Sequence, residues 1–426
     1  MNESSTHSKG DWASSQLLAE EMAQNGRLKV LTLSWVFPNP NERDLGLFVQ
    51  RRMAEVGRMA DVRVIAPVAV LEYGNPNRKF AKLTGIPEKR IDGPLEIWHP
   101  RWLYPPMGGG WNAVALFLQV WRTAARIRRE FEFDVIDAHF GHPEGVAAAL
   151  LAWATGKPFA VTLRGIEPEH AVHPFRRFLL RWSFRRASAV ISVSARLRDF
   201  ALSLGADPDT AFTVPNGIDS SLFRPENREA VRREFDIQPG EKIILTAGHL
   251  LENKGHHRVA EVLAKLRHRG LAVRQFIAGG PGRGGVYQPE LERLIESYGV
   301  KDQVRMLGAV APDKLAKLMV AADVFCLASR AEGWPNVVHE AMASGTPVVA
   351  TNVGAIPEMI PSEMFGYIVP FGQPRMLEEA LWRALTQDWD RKMIAAWGQA
   401  RSWEKVAAEV VEILERAAGK HSERIE

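Results

Sequence analysis

The chain has 426 residues, 46% of them hydrophobic and 24% charged, with a formal net charge of +4. That length accommodates two domains with separate cores, and the balance is that of a globular protein, not a fibrous or disordered one. So small a charge gives no argument for a nucleic-acid partner, no apolar run reaches the roughly eighteen residues of a membrane span, and the single cysteine, Cys326, cannot close an internal disulfide.

Residues 1–26 are polar and aperiodic and read as a flexible tail; no basic segment followed by an apolar one marks them for secretion, so a cytosolic protein is expected. LKVLTLSW (28–35) is a buried strand, Phe37-Pro38-Asn39-Pro40 a loop, and the stretch from Gly46 a helix with Phe48, Met53 and Val56 at helical spacing. With DVRVIAPV as the next strand this is a βα unit of the nucleotide-binding kind, in which ligands gather at the C-terminal ends of strands. Residues 72–110, rich in proline, glycine and aromatics, read as a long irregular excursion. A helix from Trp111 then leads to the strand FDVIDAHF, which carries His139 to its C-terminal end, and the strand PFAVTLRG does the same for Arg164. An imidazole there can polarise a hydroxyl, whereas an arginine cannot shuttle protons and suits an anion such as phosphate. HPFRRFLLRWSFRRAS follows, with Phe175, Phe178, Leu179 and Trp182 at helical spacing among five arginines. Such a helix can lie on an anionic membrane; a core-packed helix with a solvated arginine face is the preferred alternative. Asn216-Gly217 is a turn, and the boundary between the halves is placed there.

The second half restarts with the strand EKIILTAG, then Gly248, His249 and a turn through Lys254-Gly255 into a helix. VRQFIAG runs into the glycine-rich GGPGRGG, whose Arg283 is a candidate phosphate contact, and QVRMLGAV and DVFCLASR are further strands. The densest information lies in EGWPNVVHEAMASGTPVVAT (332–351). Glu332 falls in a loop, Asn336 to Ser344 form a short helix, Glu340 sits one turn inside it, and Gly345 ends it before an apolar strand. The free amides of a first helical turn attract anions, and two carboxylates beside them accept hydroxyl hydrogen bonds. Asp388-Trp389-Asp390 imitates a metal-binding pair but lies after the core strands, and is read as surface.

That stretch resembles the donor-site signature of glycosyltransferase family 4, a pair of glutamates eight apart followed by Ala-x-Ala-x-Gly-x-Pro-Val-Val-Ala; the chain supplies Glu332, Glu340, Ala341, Ala343, Gly345 and Pro347–Ala350. TVPNGIDSSLFRP and TNVGAIPE resemble flanking segments of the same family. The resemblance implies an α/β protein of the GT-B fold: two Rossmann-like domains facing across a cleft, with a C-terminal helix crossing back. The expected division is a tail (1–26), an acceptor-side domain (27–215), a nucleotide-sugar domain (216–390) and the returning helix (391–426). It implies a retaining glycosyltransferase that moves a sugar from a nucleoside diphosphate sugar to a saccharide or lipid-linked acceptor, with no metal and no other cofactor. In that picture Glu340 holds the ribose, Glu332 the sugar hydroxyls, and Gly333 with the amides of Asn336, Val337 and Val338 line the sugar and phosphates. Lys254 stabilises the departing diphosphate, Gly46 lets a loop approach the donor, and His139 assists the transfer. The chain departs from the family pattern twice, with His249 at an arginine position and Arg164 at a histidine position, where the arginine would bind acceptor or phosphate. A non-catalytic sugar-nucleotide-binding subunit, a GT-B epimerase and a sugar phosphorylase are the alternatives. A dinucleotide enzyme lacks its glycine fingerprint here. A cytosolic enzyme is expected, at the inner face of the membrane if residues 174–186 touch lipid.

Overall fold

A computed structural model describes residues 26–71, 83–103, 109–282 and 287–419. Among the described residues the first half holds ten strands: β1 (Lys29–Leu33), β2 (Asp61–Ile65), β3 (Val68–Ala69), β4 (Lys89–Asp92), β5 (Leu95–Trp98), β6 (Arg101–Trp102), β7 (Val135–His139), β8 (Phe159–Leu163), β9 (Ala189–Ser192) and β10 (Ala211–Thr213). Eight of them form one sheet in the order β10-β9-β8-β7-β1-β2-β5-β4. Its pairs are parallel except β4 with β5, and β3 pairs β6 in a small separate ribbon. The second half holds β11 (Lys242–Ala247), β12 (Val273–Ala278), β13 (Val304–Gly308), β14 (Val324–Leu327), β15 (Val348–Thr351) and β16 (Gly366–Val369), all parallel, in the order β13-β12-β11-β14-β15-β16. Numbered within its half, that is the doubly wound order 3-2-1-4-5-6, so each sheet reverses direction beside its first strand and opens a crevice there.

The helices that matter below are α1 (Leu47–Met59), α2 (Trp111–Glu130), α3 (Val146–Thr155), α4 (Pro174–Phe184), α5 (Ala195–Ser203), α6 (His256–His268), α7 (Asn336–Ala343), α8 (Ile356–Met359) and α9 (Trp403–Ala417). Strands buried on both faces need a helical layer on each side. On the first sheet α2, α3 and α4 share one core, through Leu116, Val120, Leu151, Leu180 and Phe184 with Leu31 and Ile136. The opposite face packs α1 and α9, with Val49, Met53 and Val56 against Val406, Val410 and Leu414. In the second half α7 lies on one face beside Leu245 and Phe325, and α6 on the other beside Ile244 and Cys326.

Two sequence expectations change. Within the excursion at 72–110, β4 and β5 form an antiparallel hairpin around Gly93 that closes the edge of the large sheet, and β6 follows it; part of the excursion lies outside the described residues. The outward alternation of Lys89-Arg90-Ile91-Asp92 on an edge strand hid it, since polar edge strands carry no apolar run. In α4 the core face is Leu180, Ser183 and Phe184, not the aromatic row read from the sequence, and Phe178 is 60% exposed.

Candidate active site

Strand β14 ends at Leu327, and the loop after it carries Glu332 and Gly333 to the mouth of α7. Opposite, a single turn at Glu252–Lys254 follows β11. Gly255, at φ +76°, presses that turn onto the loop; a Cβ there would lie 2.1 Å from the Ala328 carbonyl oxygen, so a side chain is excluded. Lys254 Nζ thereby reaches both Glu332 oxygens, at 2.8 and 3.0 Å. A second loop supports the first, with the Ala355 amide donating to the Gly333 carbonyl at 3.0 Å.

Helix α7 begins where the sequence indicates, with Pro335 as its cap and Asn336 as its first residue. Asn336 and Val337 stand half-buried at the mouth. Val338 does not join them: its side chain is in the core and its amide donates to the Pro335 carbonyl at 3.0 Å. One turn in, burial pushes the Glu340 carboxyl up to about 7, the Asp219 charge adding to the effect and the Arg51 guanidinium opposing it. Arg51 and Asp219 also line a cavity of about 330 Å³ between α1, the linker after β10 and the start of α9.

The first half contributes the row at the ends of β7 and β8. His139 is fully buried. Arg164 Nη2 lies 2.7 Å from His139 Nδ1, and because a guanidinium can only donate, Nδ1 is the accepting nitrogen and the proton sits on Nε2. Nε2 in turn faces Asp137 Oδ2 at 3.2 Å. Burial, with the Arg164 and Arg52 charges, lowers the imidazole to about 4, so the ring is neutral, with Nδ1 taken by Arg164. Burial alone would raise Asp137, but His139, Arg52 and Arg164 hold it below the ordinary aspartate value. The sequence expectation of a histidine facing substrate is therefore corrected: His139 orients Arg164. The arginine's Nη1 donates to Asn216 Oδ1 at 2.8 Å, its Nε has no partner, and its guanidinium sits 5.3 Å from the Phe48 ring. Glu167 fixes the backbone beneath it, accepting from the amides of Gly141, Arg164 and Gly165.

The halves meet at Gly165 and Gly333. A Cβ on Gly333 would stand 2.0 Å from the Arg164 carbonyl oxygen, so the two loops touch backbone to backbone. Asn216, on the linker, donates from Nδ2 to Asn336 Oδ1 at 2.9 Å. Gly46, left-handed at φ +69°, caps α1 two residues before Phe48 and brings the loop of Val36 into the same neighbourhood. His249 is exposed on the loop before Lys254. Arg283 lies outside the described residues. Asp390 caps a helix, accepting from the amides of Lys392 and Met393, which accounts for the Asp-x-Asp pattern. Sequence reading missed Asp137 and Asn216. Asp137 stands two residues before His139 on one strand, hence on the same face, and that was a usable signal. Asn216 was read only as a turn within a family-like segment, because its partners are distant in the sequence.

Two crevices built at strand ends and facing each other, one with an acid–lysine pair at a helix mouth and one with a buried arginine, define a GT-B glycosyltransferase. Family models match in succession, Glycosyltransferase Family 4 over residues 48–222 and Glycosyl transferases group 1 over residues 227–401. The chain belongs to glycosyltransferase family 4. It is 26% identical over 353 residues to TuaC of Bacillus subtilis, named for teichuronic acid biosynthesis, covering 80% of this chain and 83% of that protein. It is 30% identical over 234 residues to the D-inositol 3-phosphate glycosyltransferase of Corynebacterium urealyticum, a match covering 53% of this chain and only 55% of that protein. Among solved structures, HepE of Anabaena in complex with UDP superposes with a TM-score of 0.68 at 19% identity, over 91% of this chain and all of that one. Sucrose-phosphate synthase of Thermosynechococcus elongatus gives 0.67 at 18%, over 93% and 98%. Likeness at that identity establishes the fold.

Proposed function

We propose that this glycosyltransferase takes its sugar from a nucleoside diphosphate and delivers it, with retention, to an acceptor hydroxyl in cell-surface polysaccharide or glycolipid assembly. The observation that carries the reading is the Lys254–Glu332 pair at the open first turn of α7, with Glu340 one turn below. Helix amides and a lysine suit a diphosphate, and carboxylates suit sugar and ribose hydroxyls. The HepE complex with UDP and the biosynthetic name of TuaC agree with it.

In this reading the leaving diphosphate gathers charge as the glycosidic bond breaks, and Lys254, Arg164 and the α7 amides stabilise that charge more than they stabilise the bound donor. Glu332, released from Lys254 in proportion as the phosphate takes the ammonium, accepts from the sugar. At the ends of β7 and β8 the carboxylates have other work: Asp137 is buried under His139, Glu167 is filled by amides, and Glu144 is buried, which raises its carboxyl well above its ordinary value. None of the three is placed as a nucleophile. The acceptor is accordingly deprotonated by a diphosphate oxygen and attacks the face that the diphosphate leaves. Recovery of a covalent sugar adduct on the protein would overturn that step.

The acceptor side adds a second element. Trp111 and Leu118 of α2 are each 63% exposed, Phe175 of α4 lies 5.7 Å from Trp111 between ring centroids, and the same two helices expose Arg122, Arg177 and Arg181. Exposed aromatic side chains on helices that also expose arginines match an anionic lipid surface, where a lipid-linked acceptor would be presented. No helix among the described residues is long and apolar enough to cross a membrane. The deciding experiment is calorimetric titration with UDP, GDP, ADP and NAD on the wild type and on Glu340→Ala. One nucleoside diphosphate is expected to bind, and about tenfold less tightly to the variant, about 1.4 kcal/mol; binding of NAD instead, or of nothing, overturns the donor assignment.

A further inference from the structure

Arg164 and the mouth of α7 belong to different halves, and one side chain joins them. Asn216 stands on the linker between β10 and the second half, is 4% exposed, and uses both ends of its amide: the carbonyl accepts from Arg164 at 2.8 Å, the nitrogen donates to Asn336 at 2.9 Å. The linker itself has no slack. Gly217 lies so close to α9 that a Cβ would stand 2.6 Å from the Trp403 nitrogen, and the Ile218 amide donates to the Arg401 carbonyl at 2.9 Å. Asn216 is therefore held in place from below while its amide spans the cleft above.

Arg164 is a buried cation whose side-chain hydrogen bonds go to neutral groups, the His139 imidazole and the Asn216 amide, and its Nε is unpaired. The Asp137 and Glu167 charges offset part of that cation without bonding the guanidinium, and an anion at Nε would complete it. The first residue of α7, where helix amides favour negative charge, is the other party to the same amide bridge.

We infer that Asn216 is a positioning residue that sets Arg164 and the α7 mouth at a common distance, so that together they read the terminal phosphate of a nucleoside diphosphate. The inference rests on the donor reading above. With the halves apart, Asn216 stays with Arg164 and α9 and loses Asn336, so the guanidinium and the α7 mouth no longer face one phosphate; with them together, the site for the second phosphate is complete. The nucleoside and its first phosphate are held by the second half alone and do not need the bridge.

The test is a ratio. Nucleoside diphosphate and the corresponding monophosphate are titrated into the wild type, Asn216→Ala and Asn336→Ala, with a thermal melt of each protein. The expected result is a loss of about tenfold in diphosphate affinity in either variant, monophosphate affinity unchanged, and no further loss when the two substitutions are combined, because they cut one bridge. Equal losses for diphosphate and monophosphate would reduce Asn216 to a structural residue and overturn the inference, as would unchanged diphosphate binding. Should Asn216→Ala melt early, Asn336→Ala, at a half-buried surface position, carries the test alone. Failure of the wild type to bind any nucleoside phosphate is the separate result that removes the donor reading and this inference with it.

Discussion

At the scale of single residues the site is a set of groups held in unfavourable states. Glu340 is the clearest: burial raises its carboxyl from 4.5 to about 7. Between those values the unfolded chain has released a proton that the folded chain keeps, so stability falls as pH rises from about 4.5 to 7 and stays lower above it. Glu340→Gln removes that loss. Its melting advantage over the wild type should grow from pH 5 to pH 8, by about 1–2 kcal/mol for a partly accessible group. In the same window the wild-type carboxylate appears, so diphosphate binding should tighten from pH 6 to pH 8 and be flat in the variant. A melting difference independent of pH would mean that Glu340 is ionised throughout. His139 makes the opposite case. Its ring is neutral near pH 7 and enclosed, so His139→Asn, which keeps an acceptor near the Nδ1 position, should retain most donor affinity, whereas His139→Leu should lose about tenfold. Similar losses in both would show that more than the acceptor is needed.

At the scale of elements, the loops at strand ends set how closely the halves approach. Gly333→Ala introduces a Cβ 2.0 Å from the Arg164 carbonyl oxygen, a contact of backbone with backbone that no rotamer relieves. The halves must then separate by an ångström or more. Turnover should fall on the order of a hundredfold, as for other small misplacements of reacting groups, while the melting temperature stays within a few degrees because no core residue is touched. A wild-type rate would show that closure does not use this contact. The same scale explains what the sequence disclosed. The parallel strands were legible because they are buried on both faces and read as apolar runs, and the loop–helix–strand at 332–351 was legible because proline, glycine and the spacing of two glutamates punctuate it. The β4–β5 hairpin was not, since it borders solvent. Nor was the orientation of α4, because phenylalanine, leucine and tryptophan three and four apart mark a face without saying which way it points. The Asn216 bridge joins residues 120 positions apart and leaves no local pattern.

At the scale of the whole molecule, contacts tie the halves on both sides of the linker. Besides the glycine pair and the Asn216 bridge, both Glu358 oxygens of α8 accept from the Ala195 amide at the start of α5, at 3.0 Å. The outer face of the first half is another matter. Exposed Trp111, Leu118, Phe175 and Phe178 should bring the protein down with vesicles containing anionic lipid and not with neutral ones; Phe175→Ser with Phe178→Ser should weaken that several-fold and leave nucleotide affinity alone. Equal recovery with neutral vesicles would argue against the arginines. A last consequence comes from α9. Val406, Val410 and Leu414 complete a core whose other side is Val49, Met53 and Val56, near the opposite end of the chain. Each such side chain contributes about 1.5–3 kcal/mol when buried. During synthesis the second half, continuous in sequence, has its whole core available before the first half does. The half that begins to emerge first is thus the last to be finished, and a chain stopped at Ala400 would leave that face of its sheet covered by α1 alone.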